Sequence, residues 1–186
     1  FQDNNLAYLM YTSGSSGKPK GVCLTRDNLD SFVGPTIDFF DIKPEDRVFQ
    51  FCSLDFDVSM YEIFCFLYAG ATLVLRSDIC TANLQSFIDE VADVTVLSLP
   101  TAFYNKFVAF FSSHDVELPQ NIRLLSVIGE KLHTSAMKKW FSKDVDHIRF
   151  YNVYGPTEVT IFATAHQVTR VDLEADIPIG LPFEHI

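Results

Sequence analysis

The chain has 186 residues, 48% of them hydrophobic, and a formal net charge of -10. That size and composition suit one sizeable core and exclude a disordered or low-complexity polypeptide. The acidic balance argues against nucleic acid as a partner, and no window approaches the roughly twenty apolar residues of a membrane span, so no membrane association is expected either.

In chain order, the first feature is an apolar run over 6–11 that predicts a buried strand. It breaks into Thr12, Ser13, Gly14, Ser15, Ser16, Gly17, Lys18, Pro19, Lys20 and Gly21. The hydroxyls are donors, the glycines can adopt the positive φ of an anion-binding nest, and the lysines bring charge. A strand feeding such a turn presents backbone N–H groups to a phosphate, whereas a flexible linker requires neither strand nor lysines. The spacing is not that of a Walker A loop: Gly14 and Gly17 are too close together, and Lys18 is followed by Pro19.

Beyond the loop, 22–24 reads as a brief strand and 29–40 as a helix with Thr25 as its N-cap and Asp27 in its first turn, kinked or split at Gly34-Pro35. A turn over 44–46 leads to a strand over 47–52. A helix over 60–69 stops at Gly70 before a strand over 71–75, and a helix over 81–91 precedes a strand over 94–99 that Pro100 ends. A helix over 102–111, a strand over 122–128, a helix over 134–141 and strands over 147–152 and 160–168 complete the pattern. Short apolar runs alternating with amphipathic ones predict an α/β fold of largely parallel sheets with flanking helices. The eighteen Phe and seven Tyr predict an aromatic-rich interior. Cys23, Cys52, Cys65 and Cys80 show no C-x-x-C spacing and lie among apolar residues, and there is no basic segment leading into an apolar one at the N-terminus. Buried thiols in a cytoplasmic protein are therefore expected.

Two further clusters carry chemistry. In Phe56-Asp57-Val58-Ser59-Met60-Tyr61-Glu62, Ser59 and Glu62 have capping-box spacing, which leaves Asp57 unexplained. A carboxylate between Phe56 and Val58 is either exposed on a loop or, if buried, needs a cationic partner. In Asn152-Val153-Tyr154-Gly155-Pro156-Thr157-Glu158, an amide, a flat aromatic, a hydroxyl and a carboxylate surround a Gly-Pro turn at the end of a strand, where ligands of open α/β sheets gather. Tyr154 suits a base face, Asn152 a base edge, Thr157 a phosphate and Glu158 a Mg²⁺ ion. His114, His133, His147 and His166 show no partner pattern and read as ordinary surface or core residues.

The stretch Tyr11 to Gly21 resembles, nearly letter for letter, the phosphate motif Y-T-S-G-[ST]-[ST]-G-x-P-K-G of the adenylate-forming superfamily. With Phe56-Asp57-Val58-Ser59 matching the substrate-amine motif, the Asn152 to Glu158 segment matching the nucleotide motif, and 177–182 resembling the segment that follows, the chain resembles the adenylation domain of nonribosomal peptide synthetases. The resemblance spans residues 1–186. It implies the central part of the large N-terminal subdomain, with an N-terminal portion and a small C-terminal subdomain carrying the catalytic lysine lying outside the chain, so that this piece alone is expected to be inactive.

The implied reaction joins an amino acid to ATP as an aminoacyl adenylate, with Mg²⁺, for transfer to the phosphopantetheine thiol of a peptidyl carrier domain. The resemblance assigns Thr12, Ser13, Gly14, Ser15, Ser16, Gly17 and Lys20 to the β- and γ-phosphates, Thr157 to the α-phosphate and Glu158 to Mg²⁺, with Lys20, Thr157 and Glu158 as the catalytic set. It assigns Gly129, Glu130, Asn152, Tyr154 and Gly155 to the nucleotide and Asp57 to the substrate ammonium. The side-chain wall becomes Asp57, Val58, Tyr61, Ser98, Ser126, Ile128, Val153, Ile161 and Phe162, mostly apolar and without a second charge, which favours a small or medium neutral side chain. The chain departs from the family pattern at Leu181, where arginine is usual, and at Ile128, where a glycine is common. The alternatives are an acyl-CoA synthetase-like ligase, against which Asp57 speaks, a D-alanyl carrier protein ligase, and a non-catalytic binding fragment.

Overall fold

In the computed structural model, which describes residues 4–13, 17–78, 81 and 83–183, the strands sort into two sheets. Strands β1 (Leu6–Thr12) and β2 (Lys20–Thr25) form an antiparallel hairpin of their own. The expected burial of 6–11 is therefore corrected. Met10 is buried and Tyr8 and Thr12 are half-buried, while Leu9 and Tyr11 point to solvent. A two-stranded ribbon can put only one face on the protein body, and a continuously apolar run does not announce that alternation. Cys23, on β2, is likewise exposed, whereas Cys52 and Cys65 are buried as expected; Cys80 lies outside the described residues.

The large sheet has the order β4-β3-β5-β6-β7-β8-β9. Strands β3 (Arg47–Gln50), β4 (Thr72–Leu75), β5 (Val96–Pro100), β6 (Leu124–Ile128) and β7 (Arg149–Tyr154) are parallel. Strands β8 (Thr164–Gln167) and β9 (Leu181–Pro182) extend it antiparallel. Continuous burial of Val96 to Leu99 and of Leu124 to Ile128 is what a parallel sheet covered on both faces produces. The strand expected over 160–168 starts late, because Thr160 and Ile161 take left-handed backbone (φ 65° and 74°) after a 3-10 turn at Thr157–Val159.

Helix α1 (Arg26–Phe40) runs unbroken through Pro35. Thr25 caps it with Asn28: the Asn28 N–H donates to Thr25 Oγ1 (3.3 Å) and the Thr25 N–H to Asn28 Oδ1 (3.0 Å). The next helical stretch comprises α2 (Val58–Met60), a π turn Tyr61–Cys65 and α3 (Phe66–Tyr68). The expected Ser59–Glu62 capping box does not form, because the helix already starts at Val58. Ser59 Oγ donates to the Phe56 carbonyl (2.6 Å), and Glu62 turns into the core. Helix α4 (Leu84–Glu90) begins later than expected, with Asn83 as its cap; α5 (Thr101–Ser113) and α6 (Thr134–Trp140) follow. The aromatic interior is realised, with Phe40, Tyr61 and Phe162 in one group and Phe51, Phe87, Phe103 and Phe107 in another. His166 does find a partner: its Nε2 lies 2.9 Å from Asp172 Oδ1 and ties β8 to the 3-10 turn Arg170–Glu174.

Asp46 pins the opposite end of the parallel strands from the loops described below. Its carboxylate accepts from the Lys43 N–H (2.8 Å), Thr95 Oγ1 (2.8 Å) and Arg123 Nε (2.8 Å) and Nη2. Burial opposes its charge, but the bonds from Arg123, the Lys43 N–H and Thr95 prevail and hold its pKa below the usual carboxylate range. Asp46→Asn is therefore expected to cost about 2 to 4 kcal/mol at neutral pH, since it leaves Arg123 without its counter-charge. A depressed folded pKa stabilises above the unfolded pKa and loses that contribution as pH falls through the folded value, so the penalty should shrink in acid. Denaturant unfolding at pH 7 and pH 3.5 checks both points; a penalty equal at the two values would contradict the ionic account.

Candidate active site

Strands β3, β5, β6 and β7 end on the same edge of the sheet, and the segments after them meet there, as open parallel sheets require of a ligand site. Two cavities lie at this edge. The larger, about 610 Å³, is lined by residues 128–132 and 152–156 together with Asp176, Ile177 and Ile179. The smaller, about 370 Å³, is lined by Phe51, Cys52, Ser53, Phe56, Asp57, Val58, Arg76 and Pro100. Ile128, Gly129 and Gly155 line both, so the cavities adjoin at one point. Gly155 leaves no room for a side chain: a Cβ would come within 2.2 Å of the Ile161 carbonyl oxygen.

In the larger cavity Tyr154 is half exposed at the end of β7, and Asn152 is buried, its Nδ2 donating to the Pro178 carbonyl (2.7 Å). That bond anchors the segment containing Ile177 and Ile179 and leaves the Asn152 oxygen free of protein donors among the described residues. The Glu130 N–H donates to Thr101 Oγ1 (3.2 Å), whose hydroxyl reaches the carbonyls of Ile128 (3.1 Å) and Glu130 (3.2 Å), so the first residue of α5 shapes the turn between the cavities. Lys131 and Asp176 pair across the rim at 3.2 Å.

The smaller cavity centres on Asp57. Among the described residues its buried Oδ2 has no hydrogen-bond partner. Burial pushes the carboxyl pKa up and Glu158 adds to that, while bonds from the Thr157 hydroxyl and from the Val58 and Asp57 N–H groups pull it down; the net direction is upward. Tyr8, on β1, also carries a buried hydroxyl without a partner among the described residues, and burial plus the charge of Asp57 push its pKa up.

Glu62 holds the segment leading to Asp57. Fully buried, it accepts from the Cys52 N–H (3.1 and 3.3 Å) and from Gln50 Nε2 (3.2 Å). Burial raises its pKa from 4.5 to about 8 against the pull of bonds from the Cys52 and Phe51 N–H groups and Gln50. Between those values the folded state keeps a proton that the unfolded chain has released, so this group's contribution is complete below the unfolded pKa and is lost as pH rises through the folded one. Glu62→Gln, which retains an acceptor without the charge, is expected to gain about 1 to 3 kcal/mol relative to wild type on going from pH 5 to pH 8. Unfolding midpoints that shift in parallel at both pH values would sink the idea.

The residues expected from the sequence distribute unevenly. Gly129, Glu130, Asn152, Tyr154 and Gly155 line the larger cavity, as does Val153, expected on the side-chain wall. Thr12 faces Lys20 across the hairpin, Gly17 has the positive φ of 78° expected of a nest, and Ser13 is exposed; Gly14, Ser15 and Ser16 lie outside the described residues. Strand β2 packs against the Thr157–Val159 turn, which brings the β1–β2 hairpin beside Thr157 and the exposed Glu158. Of the nine expected wall residues, Asp57, Val58 and Ile128 line the smaller cavity. Tyr61, Ser98, Ser126, Ile161 and Phe162 lie instead in the packed layer, Tyr61 against Phe162 (4.7 Å between rings) and Ser126 Oγ donating to Ser98 Oγ (3.1 Å). Phe51, Cys52, Phe56, Arg76 and Pro100 also line the smaller cavity; no local signal in the sequence marked them.

The family model for AMP-binding enzymes matches residues 1–186, and the chain belongs to that family. It is 38% identical over 181 residues to the isonitrile lipopeptide synthase of Streptomyces coeruleorubidus, an alignment covering 96% of this chain and 12% of that protein. Its structure is similar to the Vibrio cholerae adenylation domain AlmE in complex with glycyl-adenosine-5'-phosphate, with a TM-score of 0.86 and 29% identity over 98% of this chain and 34% of that one. PA1221, an NRPS protein containing adenylation and PCP domains, superposes with a TM-score of 0.85 at 25% identity over 98% of this chain and 36% of that one. The chain thus spans a small part of the relatives it matches.

Proposed function

We propose that this chain is the central, ligand-binding part of an amino-acid-activating adenylation domain, and that the protein containing it forms an aminoacyl adenylate from ATP for transfer to a carrier thiol. The observation that carries the reading is Asp57 Oδ2, buried without a hydrogen-bond partner among the described residues in a largely apolar cavity that adjoins the nucleotide-sized one. A substrate ammonium supplies the missing partner and restores the charge that burial disfavours. With the amine there, the substrate carboxylate lies toward Ile128, Gly129 and Gly155, where the two cavities meet. One of its oxygens attacks the α-phosphorus, forming the acyl–phosphate bond as the bond from that phosphorus to the bridging oxygen of the leaving pyrophosphate breaks. A thiol then attacks the acyl carbon, and AMP leaves.

This chemistry depends on alignment and charge stabilisation more than on proton transfer. Tyr154 offers a face for the base, the Asn152 oxygen accepts from its edge, Thr157 serves the α-phosphate, and Lys20 with the hydroxyls of Thr12 and Ser13 serves the outer phosphates. Glu158, exposed beside Thr157, fits Mg²⁺, which is commonly held by one or two carboxylates plus substrate phosphates and there neutralises their charge. Amino-acid-dependent exchange of pyrophosphate into ATP by the full-length natural protein tests the proposal. Exchange should appear with at least one amino acid, and Glu158→Gln should raise the Mg-ATP requirement at least about tenfold. Exchange without any amino acid preference over simple carboxylic acids would reject the reading.

A further inference from the structure

One side of the larger cavity is walled by a strap of chain, residues 170–179, which contributes Asp176, Ile177 and Ile179 to the lining. Side chains of β7 and β8 hold that strap. In their antiparallel register Asn152 stands opposite His166 and Tyr154 opposite Thr164, which puts these four side chains on one face of the sheet. From that face Asn152 Nδ2 donates to the Pro178 carbonyl (2.7 Å) and Thr164 Oγ1 to the Ile179 carbonyl (2.7 Å), so the far end of the strap is gripped by its backbone. The near end is gripped through side chains: His166 Nε2 lies 2.9 Å from Asp172 Oδ1. The other Asp172 oxygen accepts from the Thr169 N–H (2.7 Å) and Thr169 Oγ1 (3.1 Å), so one carboxylate closes the 3-10 turn Arg170–Glu174 and bonds it to β8. Burial acts against the Asp172 charge, but the Thr169 N–H and His166 outweigh it and hold its pKa below the ordinary carboxylate value, which keeps it an ionised acceptor at neutral pH. Thr134 Oγ1, at the start of α6, donates to the Ala175 carbonyl (2.8 Å) directly before Asp176. His166 and Asp172 themselves stand outside the cavity wall.

Resting on the nucleotide reading of the larger cavity given above, we propose that His166 is a positioning residue for ATP: by holding Asp172 it fixes the strap that sets Ile177 and Ile179 against the nucleotide, without itself touching it. A wall ordered before the ligand arrives adds no ordering cost to binding, whereas a strap released at its first turn must be ordered by the ligand. The strap lies away from the Asp57 cavity, whose lining it does not enter. Its loosening therefore falls on ATP affinity and spares both the amino acid and the chemical step.

Titration of the full-length natural protein with Mg-ATP, alongside pyrophosphate exchange at varied ATP and varied amino acid, tests the assignment. His166→Leu is expected to weaken Mg-ATP binding and to raise the KM for ATP by roughly 3- to 10-fold, the effect of losing one hydrogen bond. Its kcat and its KM for the amino acid should stay within about twofold of wild type. His166→Gln, whose amide N–H reaches close to the place of Nε2, should restore most of the loss. Asp172→Ala removes the contact from the other side and carries the same comparison if His166→Leu does not fold; the double variant should bind Mg-ATP no more weakly than Asp172→Ala alone. A folded His166→Leu protein that binds Mg-ATP as the wild type does overturns the assignment. So does a rise in both KM values together or a fall in kcat, the mark of a general loosening, and so do equal losses in His166→Leu and His166→Gln. A wild type that does not bind Mg-ATP overturns it together with the nucleotide reading of the cavity. Exchange absent with every amino acid, while Mg-ATP binding follows the expected pattern, rejects amino acid activation and supports His166 in this role.

Discussion

Asp57→Ala in the full-length protein is expected to lower kcat/KM for the cognate amino acid by roughly two to four decades, the effect of removing one partner of a buried charge pair. The basis is that the buried Asp57 Oδ2 has no hydrogen-bond partner among the described residues, and that burial makes the carboxylate's charge unfavourable until an ammonium arrives. A des-amino analogue of the substrate leaves Asp57 unpaired in the wild type as well, so the same substitution should change its activation far less. Assaying both substrates with both proteins separates an ammonium contact from a folding defect, which would depress them together. Equal activation of the amino acid and its des-amino analogue by the wild type would remove Asp57 from the amine and favour an acyl-CoA synthetase-like ligase.

Gly155→Ala should have the largest effect on the fold of the site. A Cβ there would lie 2.2 Å from Ile161 O, 2.7 Å from Phe162 Cα and 2.8 Å from Ala163 N, all backbone atoms that cannot swing aside. The close approach is enforced by the Ala163 N–H, which donates to the Tyr154 carbonyl at 2.8 Å. Relief requires that the end of β7 part from the start of β8, at a cost of about 3 kcal/mol or more. Because Gly155 borders both cavities, the variant should also lose exchange activity even where it remains folded. Gly34→Ala is the control: it lies inside α1 with nothing within 4 Å of its Cβ position, and is expected to be neutral or to stabilise by about 0.5 to 1 kcal/mol. Denaturant unfolding of both variants tests the contrast, and a Gly155→Ala protein as stable as Gly34→Ala would show that the backbone there yields.

What local chemistry dictates was legible in the sequence. The alternation of apolar and amphipathic runs led to a largely parallel sheet, because strands buried on both faces must be continuously apolar. The positive φ of Gly17, the cap at Thr25 and the gathering of residues 152–156 at a strand end follow from rules that act within a few residues. Asp57 stood out for the same reason, as a carboxylate that its neighbours gave no cause to bury.

What depended on long-range packing was decided by the tertiary structure. Ser59 and Glu62 have the spacing of a capping box, yet the desolvated N–H of Cys52 competes for the Glu62 carboxylate and wins, because a buried unpaired donor costs more than a missing cap. Tyr61, Ser98, Ser126, Ile161 and Phe162 were expected on the cavity wall, but ring packing and the Ser126–Ser98 hydrogen bond close that layer. Arg76 lines the smaller cavity only because strand register carries it beside Phe51. The sequence alone determined the Gly-rich loop that resembles the family's phosphate motif, the parallel α/β frame and a candidate ammonium ligand, since each is encoded by neighbours along the chain. Which side chains line the two cavities was decided by strand register and core packing, because these are set by contacts between residues far apart in sequence whose competition no single segment contains.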